Sequence, residues 1–390
     1  MTKKTVIVLL GVLFTSPLFS QDLEFFGYFE SQLMMARIQS ETLQLYSNKC
    51  RVDLKSSYHQ VDFGANLNAL TYHGKTEWFI PDYLPDRVVR EIPETLRSYY
   101  ILPFEDEIVV DNLYARFAFR KVDLTIGKQQ ISMGSGYVWN PTDLFNQKDL
   151  FDPTYEQPGH HAVRMDFAAG TRLNLTALYS PEADWSRSTK LLSVKAGLGR
   201  FDFTLTAIEK NWLLHDYSAL SGLAFKTDKT TRRMAGLSVV GELAGLGVWF
   251  ESGYNKMENE DDFSEIVTGF NYTFDFETFV MFEYYRNSLA RTGSSYTLNE
   301  WMRYLASEQK ALNRDQIYLM IQHPVTDLTQ LGLNLMMTGD GSAALLPTLT
   351  SSPFENVELT AYANLYLGEK NTAFNKRLGN GGLIRLRVYF

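Results

Sequence analysis

The sequence predicts an all-β fold: a transmembrane, antiparallel, up-and-down β-barrel of about 18 strands. Three observations predict it. Apolar and polar residues alternate with period two in segment after segment, connections alternate between short and long, and after an apolar N-terminal leader no stretch is apolar enough for a membrane helix.

Lys3 and Lys4 precede an unbroken apolar run from Val6 to Phe14, followed by Ser16, Pro17 and Ser20. This pattern reads as a secretory signal peptide over residues 1–20, cleaved between Ser20 and Gln21. The expected domain is then a single barrel over residues 21–390. No Cys follows the expected cut, so a lipid anchor is not expected there, and the lone Cys50 excludes an internal disulfide framework. The formal net charge is −8, and the leader carries only positive charge, so the exported chain is acidic and a nucleic-acid partner is not expected. Aromatics make up 14% of residues while mean hydropathy is only −0.19, which suits a greasy exterior, a wet interior and aromatic girdles.

The strands are read from alternation. Val61, Phe63, Ala65, Leu67 and Ala69 form one face, and Asp62, Gly64, Asn66 and Asn68 the other. Val357, Leu359, Ala361, Ala363 and Leu365 alternate likewise with Glu358, Thr360, Tyr362 and Asn364. Such a strand separates lipid from a water-filled lumen. Short links such as Arg120-Lys121 and Phe274-Asp275 alternate with long ones near 74–107, 132–159, 211–231, 288–313 and 367–380. Short periplasmic turns and long outer loops give that pattern, and a β-sandwich has no reason to keep it. Reading Ser342 to Ser351 as a strand makes the count even, as termini on the same side of the membrane require.

Two loops carry local structure. Thr297 and Glu300 have capping-box spacing, and Leu298, Trp301, Met302 and Leu305 follow at helical spacing. This short amphipathic helix is expected to pack as a lid on neighbouring loops, or else to offer a docking face or a plug in the mouth. In 132–159, Gly134-Ser135-Gly136 gives a flexible exit from the strand. Asn140 is placed to cap a short helix with Pro141 in its first turn, and Asp149-Leu150-Phe151-Asp152-Pro153 closes the loop. This loop is expected to fold inward as the constriction, with Tyr137, Trp139, Asn140 and Asp143 as its candidate residues, the alternative being an outward cap. At the C-terminus, Ile384, Leu386, Val388 and Phe390 oppose Arg385 and Arg387. This final strand resembles the signal read by the barrel-assembly machinery, with Tyr389 and Phe390 as its end.

The run Ile126-Gly127-Lys128-Gln129-Gln130-Ile131, then Gly134, then Trp139-Asn140-Pro141-Thr142-Asp143-Leu144-Phe145, resembles a pattern in porin-like bacterial outer-membrane proteins. Among them are the alginate-export-type barrels, to which the similarity is distant. In that family a strand ending Gly-Arg-Gln precedes a Trp-Gly pair and an Asn-Pro-x-Asp-x-Phe loop. Here Lys128 replaces the Arg and Met133 stands where the Trp is expected. The resemblance implies a porin-type fold in the cell outer membrane and passage of a small hydrophilic solute, and it does not imply alginate. Outer-membrane lipid, lipopolysaccharide and the barrel-assembly machinery are the other expected partners, and the chain is expected to be a monomer or a trimer.

If apolar positions face lipid, the alternate residues face the pore. The pore-lining candidates are Arg51, Asp53, Tyr114, Arg116, Arg164, Asp166, Glu251, Glu283, Arg385 and Arg387. A lining of both signs favours dipolar solutes, and Tyr114, Tyr137 and Trp139 could stack on sugar rings; for any single charge, pairing along the wall is the first expectation. Competing readings are an outer-membrane hydrolase and a non-conducting adhesin or assembly scaffold. The chain has no G-x-S-x-G or H-E-x-x-H motif, and His160-His161, the only adjacent histidines, point to opposite faces of a strand. No catalytic residue, cofactor or metal is therefore expected. The acidic stretch Glu258 to Asp262 reads as a solvated loop.

Overall fold

The computed structural model describes residues 23–38, 41–148, 152, 156–182, 185–221 and 224–390. The expected signal peptide and the segments 149–151 and 153–155 lie outside the described residues.

The strands are β1 (Leu23–Ile38), β2 (Glu41–Tyr58), β3 (Val61–Gly74), β4 (Glu77–Phe79), β5 (Ile101–Pro103), β6 (Glu107–Ala118), β7 (Val122–Gln130), β8 (Gly159–Ala168), β9 (Leu173–Ser180) and β10 (Thr189–Leu198). They continue as β11 (Phe201–Ser221), β12 (Ala224–Leu243), β13 (Leu246–Met257), β14 (Phe263–Thr273), β15 (Phe279–Asn287), β16 (Asp315–Thr326), β17 (Thr329–Thr338), β18 (Ala343–Phe354), β19 (Val357–Tyr366) and β20 (Asn380–Tyr389). Strands β4 and β5 form a small hairpin within a loop. The other eighteen make one antiparallel sheet in which each strand pairs with its neighbours in the chain. β1 pairs with both β2 and β20, so the sheet closes on itself and no edge remains. Closure satisfies the backbone within the barrel, which a membrane demands.

At the seam Phe390 N–H donates to Gly27 O and Gly27 N–H donates to Phe390 O, both at 3.0 Å. The terminal ring packs 5.9 Å from Phe25. A Cβ at Gly27 would stand 2.1 Å from Arg51 O and 3.0 Å from the Phe390 ring, so only glycine fits there.

The alternation sorts side chains as expected. Phe29, Phe63, Leu113, Ile126, Leu205 and Ile384 are exposed on the outside, while inward residues of the same strands are buried or meet the lumen. One end of the barrel has only tight turns, between residues 59–60, 199–200, 244–245 and 355–356 among others. Exposed Phe119, Phe276 and Phe354 stand at that end, where an aromatic girdle belongs. At Ala244-Gly245 both residues have positive φ, 52° and 83°, the form whose twist matches a hairpin.

Three differences from the sequence reading stand out. Residues 211–231 do not form a long loop. β11 and β12 run on as a paired ribbon of 21 and 20 residues, about twice what a bilayer crossing needs. The charges Lys226, Asp228, Lys229 and Arg232 hide the alternation there. The expected helix after Asn140 is absent, and a single turn takes its place. Asp143 Oδ1 accepts from Phe145 N–H and Asn146 N–H, and the Thr142 amide is bound elsewhere, so no helical ladder starts. Gly134 and Gly136 serve close approach rather than flexibility. Gly134 has φ +87°, and a Cβ there would lie 2.8 Å from the Glu251 carboxylate; one at Gly136 would lie 1.8 Å from Trp139 O.

Above the barrel, helix α1 (Asp86–Glu91) and helix α2 (Leu298–Leu305) pack together with the tip of β11. Both halves of the Thr297/Glu300 capping box form. Trp301, Leu298 and Met302 join Leu84, Val88, Ile92, Tyr100, Tyr217 and Ala373 in an apolar cluster. The helix thus packs on its neighbouring loops; Leu305, the last residue of the expected stripe, stays exposed.

Candidate functional site, the loop-crossed lumen

The site begins with two inward carboxylates on the wall. Glu251 on β13 and Glu283 on β15 have no exposed surface. Glu283 accepts the amides of Tyr137, Val138 and Trp139 at 2.6, 2.8 and 2.9 Å, and the Trp249 indole N–H at 2.8 Å. Glu251 accepts the amides of Ser135, Gly136 and Thr142 and the hydroxyls of Ser135 and Thr142. Six loop amides therefore converge on two carboxylates, and the loop over residues 131–148 is drawn into the barrel. Trp249 reaches Glu283 because Gly269 leaves room for its ring: a Cβ there would stand 2.4 Å from the indole. Both carboxylates face inward, but they do not line the pore as expected. They anchor the loop and are covered by it.

Further contacts secure the loop. Trp139 stacks on Tyr285, with centroids 5.2 Å apart and planes at 14°. Ile131 and Leu144 bury against Leu178, Leu191, Ile208 and Met234, so the inner wall is apolar beneath the loop. Lys310, from the 288–314 loop, donates to the carbonyls of Asn140 and Asp143 and ties one loop to the other. Burial lowers its pKa, and burial also lowers that of Lys148, which donates to Gly136 O and Tyr137 O.

Of the four expected constriction residues, Trp139, Asn140 and Asp143 are buried inside the loop at 3, 8 and 1% exposure. They shape it and present nothing to a solute, and the stacked Trp139 is unavailable to a sugar ring. Tyr137 is half exposed. It lines a 670 Å³ cavity with Lys148, Asp152, Tyr318, Gln322 and Asn334.

At its far end the loop meets the seam wall. Glu156 takes Lys49 at 2.7 Å, Arg51 at 3.0 Å and the Tyr28 hydroxyl at 2.8 Å. Arg385 reaches Asp152 at 2.8 Å and Glu30 at 3.4 Å, and Arg387 reaches Glu30 at 2.6 Å and covers the Tyr28 ring at 4.3 Å. Arg51 also grips Asp53 through two nitrogens, at 2.7 and 2.9 Å. Lys49, Arg51, Arg385 and Arg387 thus face Glu30, Asp53, Asp152 and Glu156. Burial pushes the Glu156 carboxyl up, but Lys49, the Tyr28 hydroxyl and Arg51 outweigh it and hold it down to about 2.

A second cavity, of 650 Å³, is lined by Arg51, Asp53, Tyr114, Arg116, Arg164 and Asp166. The charges pair along the wall: Arg116 with Asp123 at 2.5 Å, and Arg164 with Asp166 at 2.7 and 2.9 Å. Tyr114 lies flat over Gly64, where a Cβ would stand 2.6 Å from its ring. Both cavities lie toward the short-turn end and share Gln130. On the long-loop side of the crossing loop is a 420 Å³ vestibule lined by Lys210, Arg232, Glu265, Glu308 and Lys310 among others.

The sequence reading missed Tyr28, Glu30, Lys49, Asp152, Glu156 and Lys310. Lys49 shares the period-two row of Arg51 and Asp53 and could have been found. Asp152, Glu156 and Lys310 sit in loops, where no periodicity marks an inward residue. Among the described residues no group of three His, Cys, Asp or Glu could hold a metal. His160 meets Asn146 at 3.1 Å and Glu182 at 3.4 Å, while His161 points the other way.

No family model matches the chain, and no curated protein matches it in sequence. Solved structures match it in fold. OccAB4 of Acinetobacter baumannii is similar over 96% of this chain and 99% of its own, with TM-score 0.57 and 10% identity. OccAB1 of the same organism gives TM-score 0.57 at 10% identity, over 96% of this chain and 98% of its own. The outer-membrane protein opdK of Pseudomonas aeruginosa gives 0.55 at 12%, over 95% and 99%. The fold is therefore that of porin-like outer-membrane barrels.

Proposed function

We propose that the chain is an outer-membrane channel for small hydrophilic solutes, organic acids and sugars being the classes to test first. The observation that carries this reading is the crossing loop. Two wall carboxylates pin it across a polar lumen, and cavities with charged and hydrogen-bonding linings are left beside it. A scaffold acting through outer loops needs no such internal loop. The similarity in fold to OccAB4 and opdK agrees with a channel.

On this reading a solute enters at the vestibule and leaves through the cavities on the short-turn side of the loop. The contact between the loop and the seam wall carries Arg51, Arg385 and Arg387 beside paired acids, so an incoming carboxylate or dipolar solute exchanges one charge-assisted hydrogen bond for another there. Tyr137 and the amide-rich wall near Gln322 and Asn334 serve hydroxyl groups.

The test is ionic current through the purified, folded protein in a planar bilayer. Stable open steps that are blocked by small organic acids or sugars are expected. Block by acids should weaken when Arg51 is replaced by Ala. A silent membrane, with protein that is heat-modifiable and folded, would overturn the channel reading in favour of a plugged scaffold.

A further inference from the structure

On the outer surface, four strands place charged residues directly opposite one another. The register aligns Lys190 of β10 with Glu209 of β11, Glu209 with Arg233 of β12, and Arg233 with Lys256 of β13. Lys190 and Arg233 share Glu209, at 2.8 and 2.9 Å, and remain about two-thirds exposed at 66 and 63%. Lys256 is exposed and has no ion-pair partner among the described residues. Three cations thus stand against Glu209, with the Asp262 carboxylate, which takes the Tyr254 hydroxyl at 2.9 Å, close enough to feel Lys256.

The row next toward the short-turn end is small where the rest of the band is bulky. Ala177, Ala207 and Ala235 lie there, with Leu192 between the first two and Tyr254 at the end. The missing bulk opens an apolar groove of 870 Å³ whose upper rim is the cationic row. From Arg233 to the turn at Leu243 the outward residues are Ala235, Leu237, Val239 and Gly241, about 25 Å of apolar wall once strand tilt is allowed for. The cations therefore mark the top of the apolar band on the long-loop side. Tyr179, opposite Lys190, and exposed Trp185, 6.0 Å away, are the aromatic pair expected at headgroup level.

We infer that this surface is a binding site for a phosphorylated, multiply acylated glycolipid of the outer leaflet, with an acyl chain in the groove over Ala177, Ala207 and Ala235 and phosphates on Lys190, Arg233 and Lys256. The width selects the class. Lys190 to Lys256 spans three strand spacings, about 14 Å, which one phosphate does not bridge and a headgroup with two separated phosphates does. The site requires the barrel to sit in an outer membrane and is independent of what passes through the pore.

The experiment is native mass spectrometry of the full protein, extracted from outer membranes in mild detergent, with lipid A added back in competition with phosphatidylglycerol. The wild type is expected to retain one glycolipid. The K190A/R233A/K256A variant should lose it about tenfold or more, by the loss of cations at a lipid surface. The groove-filling A207W variant, which keeps every charge, should lose it too. Heat-modifiability and the oligomeric state of each variant report folding. Retention unchanged in either folded variant would overturn the site. So would preference for phosphatidylglycerol, or a second copy of the chain covering the groove.

Discussion

At the scale of single residues, the lumen is organised by carboxylates that accept more bonds than one side chain usually does. Glu283 takes three loop amides and an indole. Glu283→Ala would strand four buried donors, at a cost of roughly 3 kcal/mol or more. The expected outcome is noisier and larger single-channel steps and an earlier urea midpoint. Unchanged steps would mean that the loop is held by other contacts alone. Glu156 holds the other end of the loop, with its carboxyl depressed to about 2. A depressed acid contributes stability that is complete above its ordinary pKa and is lost as pH falls through the folded value. The anchor should therefore persist through mild acid and fail only as pH approaches about 2. Current noise recorded against pH checks this, and Glu156→Gln should show at neutral pH the noise that the native channel reaches only in strong acid.

At the scale of elements, each loop is legible only as far as its local chemistry goes. The capping box of α2 is a contact within four residues, so Thr297 and Glu300 announce it in the sequence. Thr297→Ala should cost about 1 kcal/mol of local helix stability, read as faster amide exchange over 298–305, with the barrel's melting unchanged. The inner loop is the opposite case. Asn140-Pro141 reads as a helix start, yet Glu251 takes the Thr142 amide and leaves no ladder to begin. The acceptor lies more than a hundred residues away on β13, so no local pattern could reveal it. The turn at Ala244-Gly245 needs positive φ at both residues. Ala244→Asn should relieve that strain and raise stability by about 0.5–1 kcal/mol in urea titration.

At the scale of the whole molecule, the barrel is a closed wall crossed by one loop and covered by others. Trp301→Ala would hollow the cluster that joins α1, α2 and the tip of β11. It is expected to loosen the outer loops, seen as faster proteolysis there, while heat-modifiability stays intact. Loss of the folded barrel itself would mean that the cover is part of its core. The eighteen strands and the alternation of turns and loops were legible in the sequence because each strand is amphipathic in itself: one face meets lipid and the other water or the loop. The inward direction of Arg51, Arg164 and Glu283 was legible for the same reason. What alternation does not carry is which inward residue meets water and which is buried. Glu251 and Glu283 repeat the pattern of Arg51 and Asp53, and only the folded loop covers the first pair and leaves the second beside a cavity. The sequence by itself determined the barrel, its polarity and its even strand count, since these follow from period and local hydropathy. Tertiary structure alone decided the inward turn of the loop, its ties to the seam through Asp152 and Glu156, and the groove under Lys190 and Arg233. Those depend on register and on contacts between distant strands, and nothing local encodes either.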